Sequence, residues 1–585
     1  MHWTHRFWLH TIAINASQPG LPQHSSRATR HRETNSLKKI MEDDMTIFRF
    51  RTPIFALILA GLTACGGGID QGADAANPLV VKTAQGTVSG IKNGDVISFL
   101  GMPYAQAPVG SLRWRPTQAP SVRTTTFNAT AYGKACPQTT VNNNIAAADM
   151  SEDCLFINVQ KPASASATGK LPVIVYIHGG AFTLGSGAQV DGSTIATTGN
   201  IIYVSFNYRL GALGYLANTA LHASTQDSNL GNFAVMDQQA ALRWVQQNIG
   251  AFGGDPGNVT VWGLSAGSTS TFTLLESPLS KGLFAKAAME SGAGGPYSNL
   301  SPAAAEAQGG LLVTALGCDQ SSDVAACLRS QSADALVAAQ GSSRWRPTVD
   351  GSVVTQVPAD AFAAGTFNQV PVMIGGVYDE GTIFVPTNLT AAQYAPAIES
   401  LAPAGFDTTG ILSAYPLSSY AVPSQGYARA MGDAIYSCSN RSRRDDLSSW
   451  VPVYGWEYTD PSLSFPTNPT AFYLGTSHGS DALFWFGPTD APTINPVTGI
   501  AGAIPVPAMQ ALGAQMKKYL INFVRVGDPN GSVADPSLPQ WPRYTGPNNR
   551  AVLELTTPSI TMATTFDTDH KCNTVWGKGV FPETY

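Results

Sequence analysis

Charge is scarce in this chain: Asp, Glu, Lys and Arg make up 12% of its 585 residues, where folded domains usually carry about a quarter. The formal net charge is −5, and no dense run of Lys and Arg follows the N-terminal segment. A nucleic-acid binder would show a basic footprint, so nucleic acid is not expected as a partner. Long apolar runs are missing too. None approaches the ~20 residues that a membrane-spanning helix needs. Cysteine is sparse, with seven in all and no two spaced C-x-x-C, which argues against a zinc or thiol-redox motif. No metal or organic cofactor is expected. Histidine is sparse as well, and beyond residue 31 only His178, His222, His478 and His570 remain. The search for a general base is therefore short.

What the chain does have is 57 Gly and 39 Pro, the mark of many turns laid over a compact scaffold. The first 44 residues show neither helical nor strand periodicity, and Met45 offers a second start. Arg49 and Arg51 then precede the apolar run Ile54–Leu62, which ends in Leu62-Thr63-Ala64-Cys65 followed by three glycines. The run is too short to span a bilayer and resembles a bacterial lipoprotein signal, in which Cys65 would be lipidated and become the new N-terminus. Residues 1–64 are accordingly expected to be extension and signal, 65–77 a flexible linker, and 78–585 one large domain. Any membrane association would come only through that N-terminal lipid. The protein is expected to be exported, to the outer membrane, periplasm or medium. Setting Cys65 aside leaves six cysteines, an even number suited to an oxidising compartment and open to fifteen pairings.

Short apolar runs alternate with helical patterns through the large domain. Thr83–Ile91 and Asp95–Leu100 read as strands about an Asn-Gly turn, Leu171–Ile177 and Ile201–Phe206 as buried strands, and Ala234–Ile249 as a helix. Val259–Trp262 is β-rich and stops at Gly263; Val370–Ile374 and Val451–Trp456 repeat the pattern. Continuous apolar strands separated by helices predict an α/β fold with a large, mostly parallel sheet covered on both faces. Ligand sites in such sheets gather beyond the carboxyl ends of the strands.

Three clusters fall at those ends. Gly263-Leu264-Ser265-Ala266-Gly267 matches G-x-S-x-G, with a β run before it and a helical run, Ser268–Leu275, after it. Small neighbours let a serine occupy a sharp strand-to-helix turn, where the helix N-terminus favours developing negative charge. A second literal match, Gly475-Thr476-Ser477-His478-Gly479, lacks the leading strand. Upstream, His178-Gly179-Gly180-Ala181-Phe182 closes a strand. The N–H groups of Gly180 and Ala181, with that of Ala266, would form an oxyanion hole. Downstream of Ser265, His478 has the chain order that a base requires, with His570 as the fallback. The orienting acid belongs between Ser and His: Asp379 or Glu380 in Val377-Tyr378-Asp379-Glu380-Gly381, with Asp481 a further competitor. Phe182, Trp262 and Phe484 are candidates for pocket lining, with a core position the more frequent fate of such aromatics.

Taken in order, further segments carry a family likeness. Phe99–Ala105 with Pro108-Val109-Gly110 and Leu112-Arg113-Trp114, then Ser151–Val159, Asn207–Gly211, Phe252–Pro256 and Gly527–Asn530, together with the three clusters, resemble the type B carboxylesterases, relatives of the cholinesterases. The resemblance spans about residues 78–580. It implies the α/β-hydrolase fold and a triad of Ser265, Glu380 and His478, with Gly180, Ala181 and Ala266 as oxyanion donors. It implies disulfides Cys136–Cys154, Cys318–Cys327 and Cys438–Cys572, and a supporting role for Ser291 beside the acid. The implied activity is hydrolysis of small-molecule carboxylic esters through an acyl-enzyme, without cofactor or metal. The alternative within the same likeness is a catalytically silent adhesion or binding module. One departure stands out: Leu264 precedes the nucleophile where the family usually has Glu, and a carboxylate there would help hold an imidazolium.

Overall fold

The computed structural model describes residues 77–140, 145–166, 168–223, 231–292, 298–341, 343–402, 407–460, 474–488 and 506–577. The signal-like segment, Cys65 and most of the linker fall outside the described residues. In chain order the strands are β1 (Val80–Thr83), β2 (Gly86–Ser89), β3 (Ile91–Asn93), β4 (Val96–Pro103), β5 (Phe127–Asn128), β6 (Phe156–Pro162), β7 (Leu171–Ile177), β8 (Ile202–Phe206), β9 (Gly254–Leu264), β10 (Lys286–Glu290), β11 (Val372–Val377), β12 (Val453–Tyr458), β13 (Val552–Leu555) and β14 (Thr561–Met562). β1, β2 and β5 form a small sheet, and the other eleven form one large sheet in the order β14-β13-β12-β11-β10-β9-β7-β8-β6-β4-β3. From β8 to β13 every pairing is parallel. Antiparallel pairs close both edges.

The inner strands are apolar on both sides because both faces are covered. In β7, Val173, Val175 and Ile177 join one core with Val235, Leu242 and Phe272. The intervening Ile174 and Tyr176 join the opposite core with Leu512, Met516 and Leu520. The covering helices on the first face include α1 (Phe233–Asn248) and α2 (Ala266–Glu276). Later come α3 (Pro423–Gly432), a π-helical turn at Asp433–Ser437, α4 (Cys438–Leu447) and, on the second face, α5 (Pro507–Val526).

Two boundaries differ from the expectation in ways that matter. Thr83–Ile91 is not one strand: the chain turns back at Ala84-Gln85, and Gly86, which opens β2, takes a φ of +116° that only glycine adopts comfortably and where a Cβ would meet the Arg123 carbonyl at 2.6 Å. β11 and β12 start two residues later than their apolar runs and continue to Val377 and Tyr458. The prolines at 371 and 452 stand just before them. That extension carries Tyr378-Asp379-Glu380 to the carboxyl edge of the sheet. Disulfides join Cys136 to Cys154, Cys318 to Cys327 and Cys438 to Cys572. No helix among the described residues is long and apolar enough to cross a membrane.

Candidate active site

Ser265 stands between the end of β9 and the start of α2, with φ 59° and ψ −121°. A non-glycine residue there is strained and persists only where its surroundings hold it. The flanking glycines show how: a Cβ on Gly263 would strike the Gly267 backbone, and one on Gly267 would strike the Ile177 carbonyl. The amide of Ser265 donates to the Glu290 carbonyl at 2.9 Å, tying the turn to the end of β10.

The Gly179-Gly180 loop lies directly against this turn. A Cβ built on Gly179 would sit 3.0 Å from the Ser265 Cβ and 3.6 Å from its Oγ. Gly180, Ala181 and Phe182 all take positive φ, at 111°, 52° and 62°. The chain thereby coils so that the Gly180 carbonyl accepts from Thr183 and Leu184. The N–H groups of Gly180 and Ala181 donate to no group among the described residues. Ala266 opens α2, where the first amides lack intrahelical partners. His178 braces the loop: its Nδ1 donates to the Gly179 carbonyl at 2.8 Å and its ring stacks on Tyr208. Burial outweighs that hydrogen bond and lowers its pKa to about 4, so the ring is neutral.

The acid question left open by the sequence divides cleanly. Glu380 Oε2 lies 2.5 Å from Nδ1 of His478, both side chains being 0–1% exposed. Glu380 Oε1 accepts from the Val377 amide at 3.0 Å. Asp379 instead accepts from the amide and hydroxyl of Thr476 at 3.0 and 3.2 Å, which fixes the turn leading to His478. Asp481 has its Oδ2 on the indoles of Trp456 and Trp485, at 3.3 and 3.2 Å. The fallback base is otherwise engaged: His570 has Asp433 on Nδ1 and Glu457 on Nε2, each at 2.5 Å. Carboxylates on both nitrogens hold that ring away from Ser265 chemistry and favour its doubly protonated form. The second G-x-S-x-G segment forms no elbow; its Ser477 is buried and pairs as an isolated bridge with Asp379.

Several contributors were not visible beforehand. Phe384 and Tyr436 flank the His478 ring at centroid distances of 4.9 and 5.1 Å, Tyr436 coming from the π-helical turn. Trp262, Phe484 and Phe182 are core residues instead. Glu290 and Asp481 share a hydrogen bond. Glu290 Oε2 accepts from the Trp262 indole at 2.6 Å, and Glu290 Oε1 and Asp481 Oδ1 have no other donor among the described residues. Two carboxylates in that position need one proton between them. Burial first, and Asp481 next, push the Glu290 carboxyl well above its usual range, and burial raises Asp481 to about 6; two indole donors on Asp481 against one on Glu290 favour the proton on Glu290. The only sequence signal was the Glu290-Ser291-Gly292 turn, whose Ser291 takes φ 51°. A Cβ on the neighbouring Gly376 would meet both Ser291 Oγ and Glu380 Oε1, so Ser291 does lie beside the acid. Among the described residues no group of three or more His, Cys, Asp or Glu could hold a metal ion.

With this geometry in view, comparison with known proteins gives a consistent result. The model of the carboxylesterase family matches residues 77–575. The para-nitrobenzyl esterase of Bacillus subtilis (strain 168) is 39% identical over 482 residues, covering 80% of this chain and 92% of the relative. The fumonisin B1 esterase of Sphingopyxis macrogoltabida is 32% identical over 487 residues, covering 80% and 84%. Among solved structures, a PNB esterase superposes with a TM-score of 0.72 at 29% identity, covering 86% of this chain and all of that one.

Proposed function

The chain belongs to the carboxylesterase family, with the α/β-hydrolase fold and carboxylic ester hydrolysis that go with it, and from that premise we propose that Ser265, His478 and Glu380 perform the reaction through an acyl-enzyme. The observation that carries the proposal is the buried 2.5 Å contact of Glu380 with His478, on the same sheet edge as the strained Ser265. Glu380 fixes the imidazole tautomer with its proton on Nδ1, leaving Nε2 to act as base. His478 takes the Ser265 proton as Oγ attacks the ester carbonyl. The oxyanion that forms is met by the N–H groups of Gly180, Ala181 and Ala266. His478 then protonates the departing alcohol, and a water activated by the same nitrogen releases the acid. No step needs a metal or organic cofactor.

The substrate class proposed is small carboxylic esters. Fluorophosphonate labels only an activated serine, so the intact enzyme should be labelled once, at Ser265, and turn over p-nitrophenyl esters. Ser265→Ala should lose both while unfolding at the same temperature. An enzyme that resists the label, or a variant that keeps turnover, would return the chain to the silent binding module.

Three disulfides suit an oxidising compartment, which supports export, and with it lipidation at Cys65. Intact mass of the mature protein tests this: diacylglyceryl-modified Cys65 at the N-terminus is the expected result, and an unmodified start elsewhere refutes it.

A further inference from the structure

Away from the ester site, α4, the segment entering β13 and the short helix at Phe566–Asp569 border a partly open cavity of about 130 Å³ lined by Arg441, Arg444, Arg550, Tyr544, Phe566 and Asp567. Nothing in the proposed reaction uses it. Its charges do not balance. Arg550 donates to Asp445 at 2.9 Å and to Asp567 at 2.7 Å. Arg441 lies 3.6 Å from Asp567 and donates to Asn573 and the Cys572 carbonyl. Tyr544 adds its hydroxyl to Asp445. Those two carboxylates therefore serve two guanidinium groups, and Arg444 is the third. The remaining carboxylate near Arg444, Glu457, is held by His570.

Arg444 is 1% exposed. Its Nη1 donates to the Ile374 carbonyl of β11 at 3.2 Å and Tyr544 is its side-chain hydrogen-bonding neighbour, while no carboxylate lies within ion-pair distance of it among the described residues, and Nε of Arg441 makes no hydrogen bond there. The rings of Phe566 and Tyr544 lie 4.9 and 5.5 Å from its guanidinium. Guanidinium cannot discharge itself by losing a proton within a protein's working pH range, and a buried charge without a counter-charge is strongly destabilising. Water could supply acceptors but not the missing charge. Free volume of this kind needs to be only about 10–15 Å³ to hold one water, so the cavity has room for an ion of a few heavy atoms.

We propose that this cavity binds one compact anion, an inorganic oxyanion or a short carboxylate, as the counter-charge of Arg444. The site stabilises the junction between α4 and the C-terminal segment, and turnover does not depend on contact with it.

Thermal unfolding of the intact protein tests this at fixed ionic strength, with bulky gluconate replaced in separate arms by phosphate, nitrate or acetate. The expected result is a rise of about 2–3 °C when the fitting anion exceeds its Kd a hundredfold; the arm with the larger rise separates an inorganic ion from a carboxylate. Arg550→Met removes one cation from the most exposed of the three positions and should abolish the rise. Bromide-soaked crystals of the unaltered protein give a readout that needs no variant: an anomalous peak beside Arg444 is expected. Melting temperatures that do not distinguish these anions from gluconate, or bromide peaks found only elsewhere, would overturn the site.

Discussion

His478 and His570 are both fully buried, and each has a carboxylate oxygen 2.5 Å from its Nδ1. They differ in what stands on the other side of the ring. His570 meets a second carboxylate, Glu457, at Nε2, and Tyr378 and Phe566 pack against its faces. Arg429 completes the surroundings, 3.3 Å from Asp433 and with its guanidinium carbon 3.7 Å from the Tyr378 ring centroid. His478 has Glu380 on Nδ1, and the rings of Phe384 and Tyr436 flank it. A carboxylate on each nitrogen locks both protons in place on His570, whereas the proposed reaction needs His478 to exchange its proton at Nε2. The two sites are also joined: Asp433 and Tyr436 belong to the same π-helical turn, a distortion often found near functional sites. The Arg429 Nη1 donates to the Tyr378 carbonyl, two residues before Glu380.

The comparison predicts opposite phenotypes. Replacing His478 by Gln should lower turnover by about 10⁶, and Glu380→Gln by about 10⁴ because the wrong tautomer is then favoured. Both should leave the unfolding temperature little changed. Steady-state kinetics beside a thermal melt checks this. A His478 variant that melts early yet keeps turnover would erase the contrast.

His570→Gln should do the reverse, retaining most turnover per folded molecule but losing about 3 kcal/mol of stability, since Asp433 and Glu457 are left without their shared cation. The pH dependence sharpens this. Burial lowers the His570 pKa, but Glu457 and Asp433 more than reverse that and raise it from 6.5 to about 9. A raised folded-state value means the stabilisation is full below about 6.5 and is lost as pH rises through about 9. Denaturant unfolding between those pH values should therefore show a decline in the parent protein that is flattened in the variant. Equal slopes would break the assignment.

Much of this was legible in the sequence, and the limits follow range of interaction. Apolar runs locate the inner strands because both faces of each are covered, as the alternation of β7 between two cores shows. The elbow was legible because Gly263 and Gly267 answer to local sterics. Strand ends were less so, since Pro371 and Pro452 delay the start of β11 and β12 while pairing carries them past Ile374 and Trp456. The choice of Glu380 over Asp379 came from resemblance, because adjacent carboxylates in one turn differ only in which neighbour 97 or 98 residues away each meets. His570 read as a fallback base for the same reason: its partners lie 137 and 113 residues upstream.

The smallest effect concerns the position at which Leu264 replaces the family's usual Glu. Glu290, at the end of the next strand, hydrogen-bonds to Asp481, three residues beyond His478, and both feel the Glu380 carboxylate, so an acidic pair stands near the proposed triad although Leu264 contributes none of it. Because burial pushes both carboxyls up, the pair shares one proton and carries one negative charge rather than two. Glu290→Gln retains a neutral donor toward Asp481 and an acceptor for the Trp262 indole. It should therefore lower kcat/KM by only about 1 kcal/mol, or about fivefold, without a new low-pH limb in the rate profile. Asp481→Asn removes the charge itself and should cost more than Glu290→Gln. If instead Glu290→Gln proved the more damaging of the two, Glu290 would have to be the ionised member, and the charge balance near the proposed triad would have to be reassigned.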